Sequence, residues 1–279
     1  MVSDASEPGG SDRTSLKARA RGLSPQAPWA RFDLASIPWW VVIIVICGSY
    51  VAMTVLTSAR YREVFRFILP GLQITLQTTF AAYGLALIIG LFVGLMRVSR
   101  NPVLYALSTL YVEIVRGIPM LVILLYAGFV ISPRLRDGTG GVIEFSDLQE
   151  AIIGLAIGYG AYLAEVYRAG IESIHKGQME AARSLGMSYM QAMRYVVLPQ
   201  AIRVILPPLG NDFIAMLKDS SLVAVLAIPD LLQMGRLYIS RTFRAFEGYN
   251  AVALVYLVMT LLLSVFVRWI EKRWSIRGR

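Results

Sequence analysis

Apolar residues along this chain gather into runs of about twenty, separated by short polar stretches. A helix rises 1.5 Å per residue, so a run of roughly 20 residues crosses the ~30 Å of bilayer hydrocarbon. Six runs, at 37–56, 72–96, 103–131, 151–171, 209–228 and 251–270, predict six spanning helices. Because they are continuous rather than alternating, they exclude a β-barrel. The predicted fold class is an all-α integral membrane protein, since backbone groups in lipid must find their partners within the segment.

The interruptions carry further information. The run at 72–96 opens with Gln73, Thr75, Gln77, Thr78 and Thr79, polar on one side. The run at 103–131 contains Glu113, Arg116, Gly117 and Pro119, a sequence that predicts a kink or break. Ser146 and Gln149 form a capping-box pattern before the fourth run. Residues 1–35 are polar and basic and read as a disordered tail. Trp39 and Trp40 then read as an interfacial belt for the first span.

Composition narrows the classes. The chain of 279 residues is 56% hydrophobic with a net charge of +9. Cationic loops on one side of a membrane account for that charge better than nucleic-acid binding does. With the N terminus inside, the inner segments hold seventeen Lys and Arg and the outer loops eight. Cys47 is the sole cysteine and His175 the sole histidine, which excludes an internal disulfide and a histidine-based metal cluster.

The same count places the polar stretch 175–200 in the cytoplasm. Glu180, Ala181, Ala182, Arg183 and Leu185 favour a helix, and Gly186 follows as a C-terminal cap would. Ser188 with Gln191 is a second capping box, and the helix after it is expected to stop near Pro199. The pattern predicts two short helices hinged at one glycine, with Ala181, Ala182 and Leu185 as a small, weakly apolar docking face. Read from the residues alone, an interfacial connector remains an equal alternative.

The residues Gly177-Gln178-Met179-Glu180-Ala181-Ala182-Arg183-Ser184-Leu185-Gly186, followed by Leu198-Pro199-Gln200-Ala201, resemble the permease subunit of ABC importers of the polar amino-acid branch. Arg116-Gly117-Ile118-Pro119 and Leu217-Lys218-Asp219-Ser220-Ser221-Leu222 match the same family in order and spacing. The resemblance covers residues 67–274. It implies a five-span permease domain, to which the span at 36–57 and the tail are additions. It also implies that the loop, through Gly177, Gln178, Glu180, Ala181, Ala182, Leu185, Gly186, Leu198 and Pro199, docks on a separate ATPase subunit. That subunit would bind ATP and magnesium, leaving this chain without a cofactor. The other implied partners are a second permease copy or a paralogue, an extracytoplasmic solute-binding protein and an amino-acid substrate. No Gly-x-x-x-x-Gly-Lys-Ser/Thr phosphate loop occurs in the sequence; Gly138-Thr-Gly-Gly141 lacks the lysine and reads as a turn.

Lys218 and Asp219 are expected near the middle of the fifth span, where each costs roughly 2.5–3.5 kcal/mol on insertion scales. As helix neighbours they point about 100° apart and cannot neutralise each other. They are candidates for a pathway that meets both ends of a zwitterion, with Ser220, Ser221, Glu165 and Arg116 as further candidates. An interhelical salt bridge is the alternative. Glu113–Arg116 and Glu165–Arg168 are spaced as structural i, i+3 pairs. A self-contained secondary transporter or channel would need no docking loop and often shows two matching halves.

Overall fold

The computed structural model describes Ile46 and residues 48–50, 53–55 and 57–274. The chain divides into two units, Met1–Thr57 and Ser58–Arg279. The described residues of the first unit are helical, with the Thr54 hydroxyl donating to the Tyr50 carbonyl at 2.9 Å. The predicted tail at 1–35, Trp39, Trp40 and much of the run at 37–56 lie outside the described residues.

Among the described residues of the second unit every regular element is helical. In chain order these are α1 (Ala59–Arg97), α2 (Pro102–Gly117), α3 (Met120–Tyr126) and α4 (Ser132–Gly138). There follow α5 (Asp147–Glu172), α6 (Lys176–Ser184), α7 (Tyr189–Ala192), α8 (Leu198–Asp219), α9 (Leu231–Thr242) and α10 (Ala245–Trp274). π-turns at Ala127–Ile131 and Met193–Val197 join α3 to α4 and α7 to α8, and a 3₁₀ segment, Ser220–Leu226, follows α8.

The core is a pair of close-packed helices, α1 and α5. A Cβ at Gly90 would stand 2.6 Å from the Leu163 Cβ, and one at Gly160 would stand 2.7 Å from Ile89 Cγ2. Small residues let the two backbones approach, which is how helices gain dispersion contact where lipid removes the hydrophobic drive. The register, Gly90 on Leu163 and Gly94 on Tyr167, makes α1 and α5 parallel. α3 runs against α5, with Gly158 on Met120 and Gly154 on Leu124, and α2 packs beside it, the Tyr111 hydroxyl donating to the Ile157 carbonyl at 2.7 Å. α8 also opposes α5, with Gly170 on Ile205 and Tyr159 bonded to Asp219. α10 packs on α8 where Gly210 meets Val267, and it opposes α9, with Gly235 on Val252 and Gly248 on Ile239. α3 and α8 therefore both run opposite to the parallel pair α1 and α5.

α1 and α10 are each long and apolar enough to cross a membrane. Two broken pairs pass the same test: Pro102–Gly117 with Met120–Gly138, bent by 104°, and Tyr189–Leu226 with Leu231–Thr242, bent by 49°. The first break falls at Ile118, whose ψ of 132° is the extended conformation that a following proline imposes. α1 starts thirteen residues before the predicted run. Its early turns are held by α9 and its flanks: the Thr75 hydroxyl accepts from the Leu231 amide at 3.0 Å, and Arg244 lies 3.3 Å from Glu63. Thr75, Thr78 and Thr79 are fully buried, each hydroxyl donating to the carbonyl four residues back. Gly140 and Gly141 have positive φ, so 138–141 is a turn as expected.

Candidate functional site

The loop between α5 and α8 takes the predicted hinged form. His175 caps α6, its Nδ1 accepting from the Gly177 amide at 3.1 Å. At the other end Gly186 adopts φ +85°, and its amide donates to the Arg183 carbonyl at 3.0 Å. The Met187 amide donates to the Ala182 carbonyl at 3.2 Å. These two bonds are the Schellman closure of a helix, and they satisfy carbonyls that would otherwise lack partners. Ser188 and Gln191 form the second capping box that opens α7.

Two expectations for this loop need correction. Ala182 is only 4% exposed and so packs inward rather than sharing a docking face with Ala181 and Leu185. An alternation of exposure within one turn decides this, and composition does not reveal it. Nor does the second helix stop near Pro199. The π-turn Met193–Val197 runs into α8, where Pro199 occupies the first turn. The Leu198 amide closes a wide turn on the Met193 carbonyl, and helical backbone at Val197 and Leu198 carries the chain on past the proline. Gln178, Glu180, Ala181 and Gly186 are exposed, Gly177 is half-buried, and Leu185 is 82% exposed. Sequence reasoning misses Tyr189 and Met190, which extend this surface at 51% and 70% exposure. Their place directly after the Ser188 cap is the available signal. Leu198 and Pro199 are exposed farther along, on the first turn of α8.

The charged candidates do not converge on one point. Lys218 and Asp219 sit at the C-terminal end of α8, where the chain tightens into a 3₁₀ segment at Ser220 and continues toward α9. Lys218 is exposed and makes no ion pair with a described residue. Its position suits the negative end of the helix dipole. Asp219 Oδ2 accepts from the Tyr159 hydroxyl at 2.8 Å. The Ser220 and Ser221 hydroxyls turn back to the Leu217 and Lys218 carbonyls at 2.8 and 2.7 Å.

Arg116 forms no pair with Glu113, contrary to the i, i+3 expectation; its guanidinium carbon lies 5.4 Å over the ring of Tyr162. The break at Ile118 ends α2 one residue after Arg116, which frees that side chain to lean onto α5. The Tyr162 and Tyr159 ring centroids are 6.0 Å apart. Two tyrosines one turn apart on α5 thus stand between a guanidinium from α2 and a carboxylate from α8. Glu165, about 9 Å farther along the α5 axis than Tyr159, belongs to a separate network. It accepts from Arg97 at 2.7 Å and pairs with Arg168, which also binds Glu172. Glu165–Arg168 is therefore formed as expected. Arg97, whose side chain is 9% exposed, is a cross-helix partner missed because its sequence position reads only as a loop cation.

Relatives share this architecture. The profile of the family described as binding-protein-dependent transport system inner membrane component matches residues 86–276. The chain is 40% identical over 215 residues to the probable amino-acid ABC transporter permease protein YckA of Bacillus subtilis, covering 76% of this chain and 91% of that one. It is 35% identical over 209 residues to the glutamine transport system permease protein GlnP of Escherichia coli, covering 75% and 93%. A solved crystal structure of an amino acid ABC transporter with histidines superposes with a TM-score of 0.69 at 40% identity, covering 78% of this chain and 97% of that one. The match to the family over residues 86–276, which takes in the end of α1 and every later helix to α10, makes this chain a member of the binding-protein-dependent transport system inner membrane component family.

Proposed function

We propose that this chain is the permease subunit of an ABC importer that carries a polar amino acid across the cytoplasmic membrane. The observation that carries the reading is the exposed, doubly capped loop from Gln178 to Met190 on a bundle of spanning helices. A docked ATPase subunit, holding ATP and magnesium, would push on Glu180, Ala181, Leu185 and Gly186. The motion would pass directly into α8, because no break separates the π-turn at Met193–Val197 from that helix. The basic excess favours both termini on the cytoplasmic side.

The names of two relatives support an amino acid as cargo. Asp219 with Tyr159 suits an ammonium group, and Arg116 beside Tyr162 suits a carboxylate; Lys218 is a second cation on the same helix end. Glu165 serves the bundle through Arg97 and Arg168. A second permease, a copy or a paralogue, would complete the pathway, and an extracytoplasmic solute-binding protein would deliver the cargo. The test is co-purification in mild detergent followed by uptake into proteoliposomes with a panel of amino acids. An ATPase subunit that is captured by this chain and lost on Glu180→Lys, with ATP-dependent uptake of one amino acid, is expected. A chain that drives uptake with no ATPase present refutes the proposal.

A further inference from the structure

A groove of about 530 Å³ opens where the loop joins the bundle, lined by Arg194, Leu198, Pro199, Ile202, Arg203 and Arg273. Its three charged residues are all arginine. Arg194 comes from the π-turn before α8, Arg203 from the second turn of α8, and Arg273 from the end of α10. None forms an ion pair with a described residue. Among the described residues no carboxylate lines the groove, so three like charges from three elements are gathered with no described acidic group to balance them. All three side chains are exposed, so together they present a positive surface that draws an anion.

The apolar floor identifies the anion's carrier. Leu198 and Ile202 are exposed at 40% and 39%, one helical turn apart on the same face of α8. The apolar run at 251–270 ends three residues before Arg273, and Trp269, 58% exposed, stands one turn earlier with the Arg273 guanidinium 6.0 Å from its ring. Tryptophan and arginine at the end of a spanning helix mark the headgroup level. The groove therefore sits where a phosphodiester lies, with aliphatic side chains for its glycerol and acyl stem. Guanidinium groups bind phosphate by paired, charge-assisted bonds. We propose that this groove is a binding site for an anionic phospholipid headgroup, at the junction through which the loop drives α8.

The test uses the full-length chain purified in detergent and stripped of lipid, with dioleoyl phosphatidylglycerol and dioleoyl phosphatidylcholine titrated separately and binding read by native mass spectrometry. The chain is expected to retain phosphatidylglycerol and not phosphatidylcholine. The triple variant Arg194→Gln/Arg203→Gln/Arg273→Gln should weaken that retention on the order of 100-fold, about fivefold per headgroup-facing cation. The matching triple at the opposite end, Arg60→Gln/Arg62→Gln/Arg66→Gln, should not. Should the first triple fail to fold, Arg203→Gln alone should still weaken retention by about fivefold. Equal phosphatidylglycerol binding by wild type and the groove variant overturns the proposal. So does displacement of the lipid by millimolar inorganic phosphate, which would make this a free-anion site. Loss of a co-purified ATPase with lipid binding unchanged also overturns it and assigns the groove to a protein partner.

Discussion

Replacing Gly186 with alanine isolates the hinge of the loop. A Cβ there would meet nothing within 4 Å, so the substitution causes no clash. All of its cost is in the backbone, because φ at this position is +85°. An L-residue held in the left-handed region loses about 1–2 kcal/mol. The alternative is to release the Schellman closure and both of its bonds, at roughly 0.5–1.5 kcal/mol each in water. The two routes cost about the same, so the closed hinge weakens by about 1–2 kcal/mol, a factor of roughly 5–30. Hydrogen exchange reads this directly. The amides of Gly186 and Met187, which close on Arg183 and Ala182, should exchange about 5–30 times faster. The Gln149 amide, in the capping box of α5, should not change. Gly186→Asn should fall between glycine and alanine, because asparagine visits the left-handed region more readily. Unchanged exchange in the alanine variant, or an asparagine variant worse than alanine, would refute the reasoning.

The remaining predictions concern the bundle. Gly90→Ala places a Cβ 2.6 Å from that of Leu163, and should lower the melting temperature in detergent through about 1–3 kcal/mol of overpacking; Gly117→Ala, with open space around it, should leave the melting temperature nearly unchanged. Tyr159→Phe removes the donor to Asp219, a hydrogen bond to a charged group of about 1.5–3 kcal/mol. Initial uptake rates in proteoliposomes should change at least tenfold while the ATPase subunit stays bound; uptake at the wild-type rate would show that Asp219 is not in the pathway. Glu165→Gln leaves the nearly buried Arg97 without its counter-charge and should cost on the order of 2 kcal/mol in thermal stability. Adding Arg97→Gln should restore part of that loss, and full additivity of the two changes would show no coupling between them.

Features set by near neighbours along the chain are legible in the residues themselves. Ser146 with Gln149 and Ser188 with Gln191 cap their helices as the four-residue pattern predicts. Gly186 ends α6, and Gly117 to Pro119 break the third segment. Each of these is decided within one turn, by a side chain reaching its own backbone or by a proline excluding a conformation. Errors begin where a local signal meets a tertiary partner. Pro199 reads as a stop, but a π-turn ahead of it feeds the first turn of α8. Residues 59–71 look too polar to extend a span, but α9 and its flanks give α1 a surface to pack on.

By itself, then, the sequence determined the all-helical membrane class, the hinged loop and the family resemblance. All rest on apolar run length, quoted motifs and spacings of three or four residues. Only the tertiary structure decided that Ala182 faces inward, that Asp219 bonds Tyr159, that Arg97 reaches Glu165, and that Arg194, Arg203 and Arg273 share a groove. Asp219 and Tyr159 lie 60 residues apart in the chain, and Arg97 and Glu165 lie 68 apart. Their meeting depends on how closely α1, α5 and α8 approach through glycine and alanine, and on which face each helix turns inward. Helical periodicity leaves that rotation undetermined when a helix is apolar on every side.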